Sequence, residues 1–191
     1  QEIRTLNDKK FAVLIDSDNI SAKYISYILA EMTKYGVITY KRIYGDWTSS
    51  QMGKWKQELL ENSITPIQQF SNTVGKNATD SALIIDAMDL LYTDNVDGFC
   101  IVSSDSDFTK LASRLRESGK EVIGMGEEKT PKSFRAACTV FTNLEILLDQ
   151  DEESVSGVTV GREVIEQDIA SIILENDDMN KATGLGEIGN R

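Results

Sequence analysis

The sequence predicts an α/β protein built on a mainly parallel sheet, and three observations carry that expectation. Short apolar runs rich in β-branched and aromatic residues recur along the chain. Longer stretches of helical periodicity lie between them, so that strand and helix alternate four times, the pattern of right-handed βαβ units. Glycines and short polar residues stand where such helices should end and begin.

In order, the expected strands are "FAVLI" (11–15), "VITYKRIY" (37–44), "ITPIQQF" (64–70), "GFCIVS" (98–103) and "EVIGMG" (121–126). The helical stretches between them are "SAKYISYILAEMTKYG", "SQMGKWKQELLEN", "TDSALIIDAMDLLYTD" and "DFTKLASRLRESG". Gly36 and Gly119 fall just past two helix ends, and Ser21, Thr79 and Asp107 are candidate N-terminal caps. "TPKSFRAAC" reads as a short helix with its proline near the start, and "TVFTNLEIL" as a final strand and turn. This organisation places a main domain over 10–148. An acidic linker with serine and glycine, "DQDEESVSGVTV", spans 149–160. Within 161–191 the segment "REVIEQDIASIILEN" forms one amphipathic helix, and the residues after it lack a finished hydrophobic pattern, as expected of part of a second small domain.

At 191 residues, 40% hydrophobic and 27% charged, the chain has the composition of a folded protein. No apolar run approaches the ~20 residues needed to cross a bilayer. The opening "QEIRTLNDKK" has no signal-peptide pattern, so a cytoplasmic protein without membrane association is expected. Cys100 and Cys138 lack metal-ligand spacing and read as core residues in a reducing compartment. The chain has no histidine, which excludes Ser-His-Asp, Cys-His and histidine-zinc chemistry. A net charge of −11 argues against tight non-specific duplex binding. That charge is uneven: residues 150–191 carry −7 (ten acids, three bases) and residues 1–149 only −4 (21 acids, 17 bases). If several acids of the first part hold divalent ions, the surface left over is neutral or basic, and nucleic acid stays open as a partner.

All strands of a parallel sheet finish on one edge, where the departing loops build the site. Asp16 follows the first strand at once, beside Asp18 and Asn19; Asp105 and Asp107 follow "CIVS"; Asp80 opens a helix after "SNTVGKNAT". These distant acids should converge. Crowded carboxylates repel one another and raise each other's pKa unless a cation compensates. Hard oxygen ligands without nitrogen or sulfur select Mg²⁺ or Mn²⁺, and the chemistry that follows is metal-assisted phosphodiester hydrolysis, with one or two ions. The alternative for Asp80 and Asp107 is a helix cap. A calcium loop is excluded, because the glycine and terminal glutamate of that spacing are missing. Asp86 and Asp89 lie deeper in the helix of Asp80, and Asp86, about 240° round from it, should face elsewhere unless the helix is irregular, which leaves it a marginal candidate.

Other candidates are softer. Lys76 and Asn77 stand where a phosphate would be met, or in a solvated loop. Ser103, Ser104 and Thr79 orient ligands or cap helices. Trp47 and Trp55, near Lys54 and Lys56, stack on unpaired bases or form a buried helix face. Lys132 and Arg135 face an anion or solvent.

"LIDSDNI", "GKNATDSALIIDAMDLL" and "FCIVSSDSDFTKLASRLRESGKEVIGMG" together resemble the NYN domain, a PIN-like nuclease group that includes the bacterial DUF88 proteins. The similarity spans about 10–147. It implies a Rossmann-like three-layer α/β/α sandwich with an Mg²⁺- or Mn²⁺-dependent ribonuclease site. Asp16 corresponds to the family's first-strand acid, Asn19 to its asparagine, Asp80 to its central acid, and Asp105 and Asp107 to its paired acids. The tail from Val164 looks like the opening of a LOTUS (OST-HTH) domain, a winged-helix module associated with RNA binding.

The expectation is therefore an endoribonuclease acting on single-stranded or loop RNA. Asp16, Asp80, Asp105 and Asp107 hold the ions that activate a water, and Asn19 assists. Lys76, Asn77, Thr79, Ser103 and Ser104 serve the substrate. DNA stays open as a substrate, and a homo-oligomer as an assembly. One alternative is a non-catalytic RNA-binding or scaffold module of the same fold. Another is a phosphohydrolase of the haloacid dehalogenase type, whose pattern wants threonine or valine where Asn19 stands.

Overall fold

Each apolar run forms a strand, and every strand runs the same way. The computed structural model describes residues 8–50, 52–70, 78–153 and 167–176, with the side chains of 52 and 78–81 outside that description. Its strands are β1 (Lys10–Asp16), β2 (Val37–Gly45), β3 (Thr65–Gln68), β4 (Gly98–Val102), β5 (Glu121–Gly126) and β6 (Val140–Asn143). The helices between them are α1 (Ile25–Met32), α2 (Met52–Glu61), α3 (Ala78–Thr93), α4 (Thr109–Glu117) and α5 (Lys132–Ala137). Two more helices follow, α6 (144–153) and α7 (167–176).

The sheet order is β3-β2-β1-β4-β5-β6, with all neighbours parallel. The period-2 alternation of β1 explains the layers. Phe11, Val13 and Ile15 join a core with Ile25, Ile28 and Met32 of α1 and with Trp55 and Leu59 of α2. Ala12 and Leu14 join a second core with Leu83 and Ala87 of α3, Leu111 and Leu115 of α4 and Phe134 of α5. One sheet with a helical layer on each face is the three-layer sandwich expected. Burying one such aliphatic side chain stabilises the fold by about 1.5–3 kcal/mol.

Local chemistry sets the ends. Gly119 ends α4 in the left-handed region at φ +80°, with its N–H on the Arg116 carbonyl. Gly36 is needed for proximity instead: a Cβ there would stand 2.3 Å from the Lys9 carbonyl oxygen, which accepts the first sheet bond from Val37.

Four expectations are corrected. The first helix begins as a 3-10 turn, Ala22–Tyr24, whose preceding Ser21 makes no side-chain cap bond. The residue that caps the segment before α4 is Asp105, because a 3-10 turn at Ser106–Phe108 shifts the start two residues upstream of Asp107. After β6 the chain continues as α6, where Leu144, Leu147 and Leu148 pack on the α1 side of the sheet, so no turn follows that strand. Residues 149–153 of the expected linker are helical, and its remainder lies outside the described residues. By compactness the chain divides into Gln1–Leu148 and Asp149–Arg191. Of the LOTUS-like stretch only 167–176 is described, as a helix. No described helix is long and apolar enough to cross a membrane.

Candidate functional site

From the central pair β1 and β4 the chain winds outward in opposite directions, through β2 and β3 on one side and β5 and β6 on the other. A crevice at such a switch point, beyond the carboxyl ends of the strands, is where open α/β sheets bind ligands. Asp16 ends β1 there, and Ser103 follows β4.

Asp16 is only 1% exposed. Its Oδ2 accepts from Asn19 Nδ2 at 2.7 Å and from Ser103 Oγ at 2.8 Å, and its Oδ1 accepts from the Asp18 backbone N–H at 3.2 Å. Burial raises its pKa above the ordinary carboxylate range, those three donors pull it back, and the nearby Asp18 charge raises it further. No lysine or arginine is among these influences. A carboxylate offers about four lone-pair positions. Two donors fill Oδ2, whereas Oδ1 takes one and keeps room for a cation.

Ser103 connects the two strand ends. Fully buried, it donates to Asp16 through a hydroxyl that also accepts from the Asp105 backbone N–H at 3.1 Å. Asp105 is half-buried, and its Oδ1 accepts the Asp107 N–H at 3.1 Å. Asp107 is exposed. Ser104 Oγ accepts from the Glu127 N–H at 3.0 Å, which fixes this loop to the end of β5. Among the described residues, no three acidic or cysteine side chains stand close enough together to hold an ion.

Lys76 and Asn77 lie outside the described residues, and Thr79 and Asp80 are described only as backbone of α3. Asp80 stands in the first turn of α3. Gln69 Oε1 accepts the Ala82 N–H at 3.3 Å, tying this start to the end of β3. Asp86 anchors the same helix to the sheet: it accepts from Arg42 at 2.6 Å and from the Tyr44 hydroxyl. It is a structural residue. Burial, then Asp86, push the Tyr44 phenol above its ordinary range.

The softer candidates resolve toward structure. Trp55 is 4% exposed and meets Trp47 edge to face, while Trp47 Nε1 donates to the Ile67 carbonyl at 3.0 Å. Trp55 is a core residue, and Trp47 is half-buried. Arg135 donates to the Thr130 and Glu128 carbonyls and stacks on the Phe141 ring, which gives it a structural role. Both cysteines are buried, and burial pushes the Cys138 thiol up to about 12.

Sequence reasoning passed over two acids on this edge. Glu127 directly follows β5, and Glu145 lies two residues past β6. Burial raises the Tyr24 hydroxyl pKa, Lys23 opposes, and the charges of Glu145 and Glu127 raise it further. The strand-exit rule that singled out Asp16 applies equally to Glu127.

Comparison with known proteins follows the same outline. A solved structure of a protein of unknown function from Vibrio parahaemolyticus superposes with a TM-score of 0.60, over 74% of this chain and 96% of that one, at 16% identity. That likeness bears on the fold. An uncharacterised protein of Methanocaldococcus jannaschii is 27% identical over 125 residues, covering 63% of this chain and 49% of the relative. The chain thus spans about half the length of that relative. Residues 10–145 match the family described as NYN domain.

Proposed function

The chain belongs to the NYN domain family, and on that premise we propose that it is a metal-dependent endoribonuclease hydrolysing phosphodiester bonds of single-stranded or looped RNA. The observation that carries this reading is Asp16, a carboxylate buried at the switch point, contacted by neutral donors and left with capacity on one oxygen. Burying an unpaired charge is costly, and an all-oxygen set suits Mg²⁺ or Mn²⁺. Asp16, Asp80, Asp105 and Asp107 would be its holders. When bound, the ion would neutralise those carboxylates and polarise a phosphoryl oxygen.

The chain's own residues supply the rest. Ser103 and Asn19 fix the Asp16 carboxylate in one orientation, and the second amide hydrogen of Asn19 is available to a water or a phosphate oxygen. Ser104 holds the β4 loop to β5. Lys76 offsets substrate charge, with Asn77 and Thr79 beside it. Hydrolysis in this reading leaves a 5′-phosphate and a 3′-hydroxyl.

Incubation with a 5′-labelled single-stranded RNA tests it. Cleavage in Mn²⁺ or Mg²⁺ that stops with chelator, and that is lost in Asp16→Asn and Asp105→Asn, is the expected outcome. Cleavage by Asp16→Asn at the parent rate contradicts it. A non-catalytic RNA-binding module is the second reading. It is favoured by the acidic balance of the chain, a net charge of −11. RNA binding with no turnover in either metal would select it.

A further inference from the structure

Beside Asp16 a recess of about 370 Å³ opens between the loop leaving β1 and helix α2, lined by Ser17, Ile20, Ser21, Ala22, Lys54 and Trp55. That volume lies at the small end of the range for ligand sites. Its lining combines a cation, two hydroxyls and three apolar side chains, the mixture that suits a charged, hydroxylated molecule with one flat apolar part.

Two features mark it as more than a surface groove. Ser17 is 6% exposed, and its Oγ is buried without a hydrogen-bond partner among the described residues. An unpaired buried hydroxyl costs about 1–3 kcal/mol, which a ligand or water at that point offsets. Lys54, exposed in the first turns of α2, makes no ion pair among the described residues. An unneutralised ammonium thus stands at the rim of a recess whose wall begins one residue after Asp16.

We propose that this recess seats the nucleotide adjoining the cleaved phosphodiester. The Lys54 ammonium meets a non-bridging phosphate oxygen as a point charge. The Ser21 hydroxyl exchanges hydrogen bonds with the ribose, whose 2′-hydroxyl both donates and accepts, while the Ser17 Oγ lies behind the wall against Gly45. The base lies against Ile20, Ala22 and the edge of Trp55. This assignment rests on the nuclease reading for the meaning of "adjoining" and on the recess itself for the rest.

The test compares the parent chain with Lys54→Glu, Lys54→Arg and Ser21→Trp. It uses initial rates on a fluorescent single-stranded oligoribonucleotide in Mn²⁺, and anisotropy of the same oligonucleotide in chelator. Lys54→Glu should raise KM about tenfold with kcat little changed and lower the salt slope of binding by about one, the signature of one lost phosphate contact. Lys54→Arg should stay near the parent, and Ser21→Trp, which fills the recess from an exposed position, should raise KM with an unchanged Tm. Parent-like KM and Kd in both Lys54→Glu and Ser21→Trp overturn the proposal. If the parent cleaves nothing, the nuclease reading falls, and a Kd that still depends on Lys54 and Ser21 upholds the recess alone.

Discussion

Because burial raises the Asp16 pKa, the folded chain without a cation keeps a proton there to higher pH than the unfolded chain does. The sign follows. Stability is full while both states are protonated and declines as pH rises through the ordinary carboxylate range to the raised folded value. Asp16→Asn removes that decline, so in metal-free buffer at neutral pH the variant should melt a few degrees above the parent, and the gap should close in acid. A lower Tm for the variant at neutral pH would mean that the accepted hydrogen bonds outweigh desolvation. Ser103→Ala removes a donor to Asp16 and the acceptor of the Asp105 N–H. We expect a stability loss of about 1–3 kcal/mol, with cleavage falling about 10–100-fold because the carboxylate loses its orientation. Asp16, Asn19 and Ser103 were legible as residues because each stands at a strand exit. What Ser103 touches was not, since Asp16 lies far away in the sequence and only the sheet brings the two strand ends together.

At the scale of elements, the Asp86 bridge holds α3, and with it position 80, against β2. Asp86→Ala leaves a buried tyrosine hydroxyl and a half-buried guanidinium unpaired, so a loss of roughly 1–3 kcal/mol by denaturant titration is expected. Parent-like stability would show the bridge to be ornamental. Gly98→Ala would put a Cβ 2.4 Å from the Phe11 ring and 2.8 Å from the Glu121 carbonyl oxygen, at the point where β4 enters between β1 and β5. Overpacking of that kind costs about 1–3 kcal/mol. The strands were readable because "FAVLI" and "GFCIV" are apolar on both faces, as a central parallel strand must be. Helix α6 was not, because Leu144, Leu147 and Leu148 repeat at helical spacing directly against β6, and so short an apolar run does not reveal its own period. The Asp105 cap was missed for a related reason: a single 3-10 turn has no periodic signal.

For the whole molecule, the acidic balance acquires a physical role if part of it is neutralised by a bound ion. A ligand that binds only the folded state at a hundred times its Kd stabilises by about 2.7 kcal/mol. Mn²⁺ should therefore raise the Tm of the parent and leave that of Asp16→Asn unmoved; equal shifts in both would place the ion elsewhere. The switch point was visible in outline, since alternation of strand and helix implies a parallel sheet, but the reversal between β1 and β4 belongs to topology and appears only in the fold. The measurement that tests the central claim most directly is anomalous diffraction from crystals soaked in Mn²⁺. The account predicts a peak within coordination distance of Asp16 Oδ1 at the carboxyl ends of β1 and β4. A fully soaked crystal with no peak at Asp16, or with a lysine or arginine seated on that carboxylate, would contradict it.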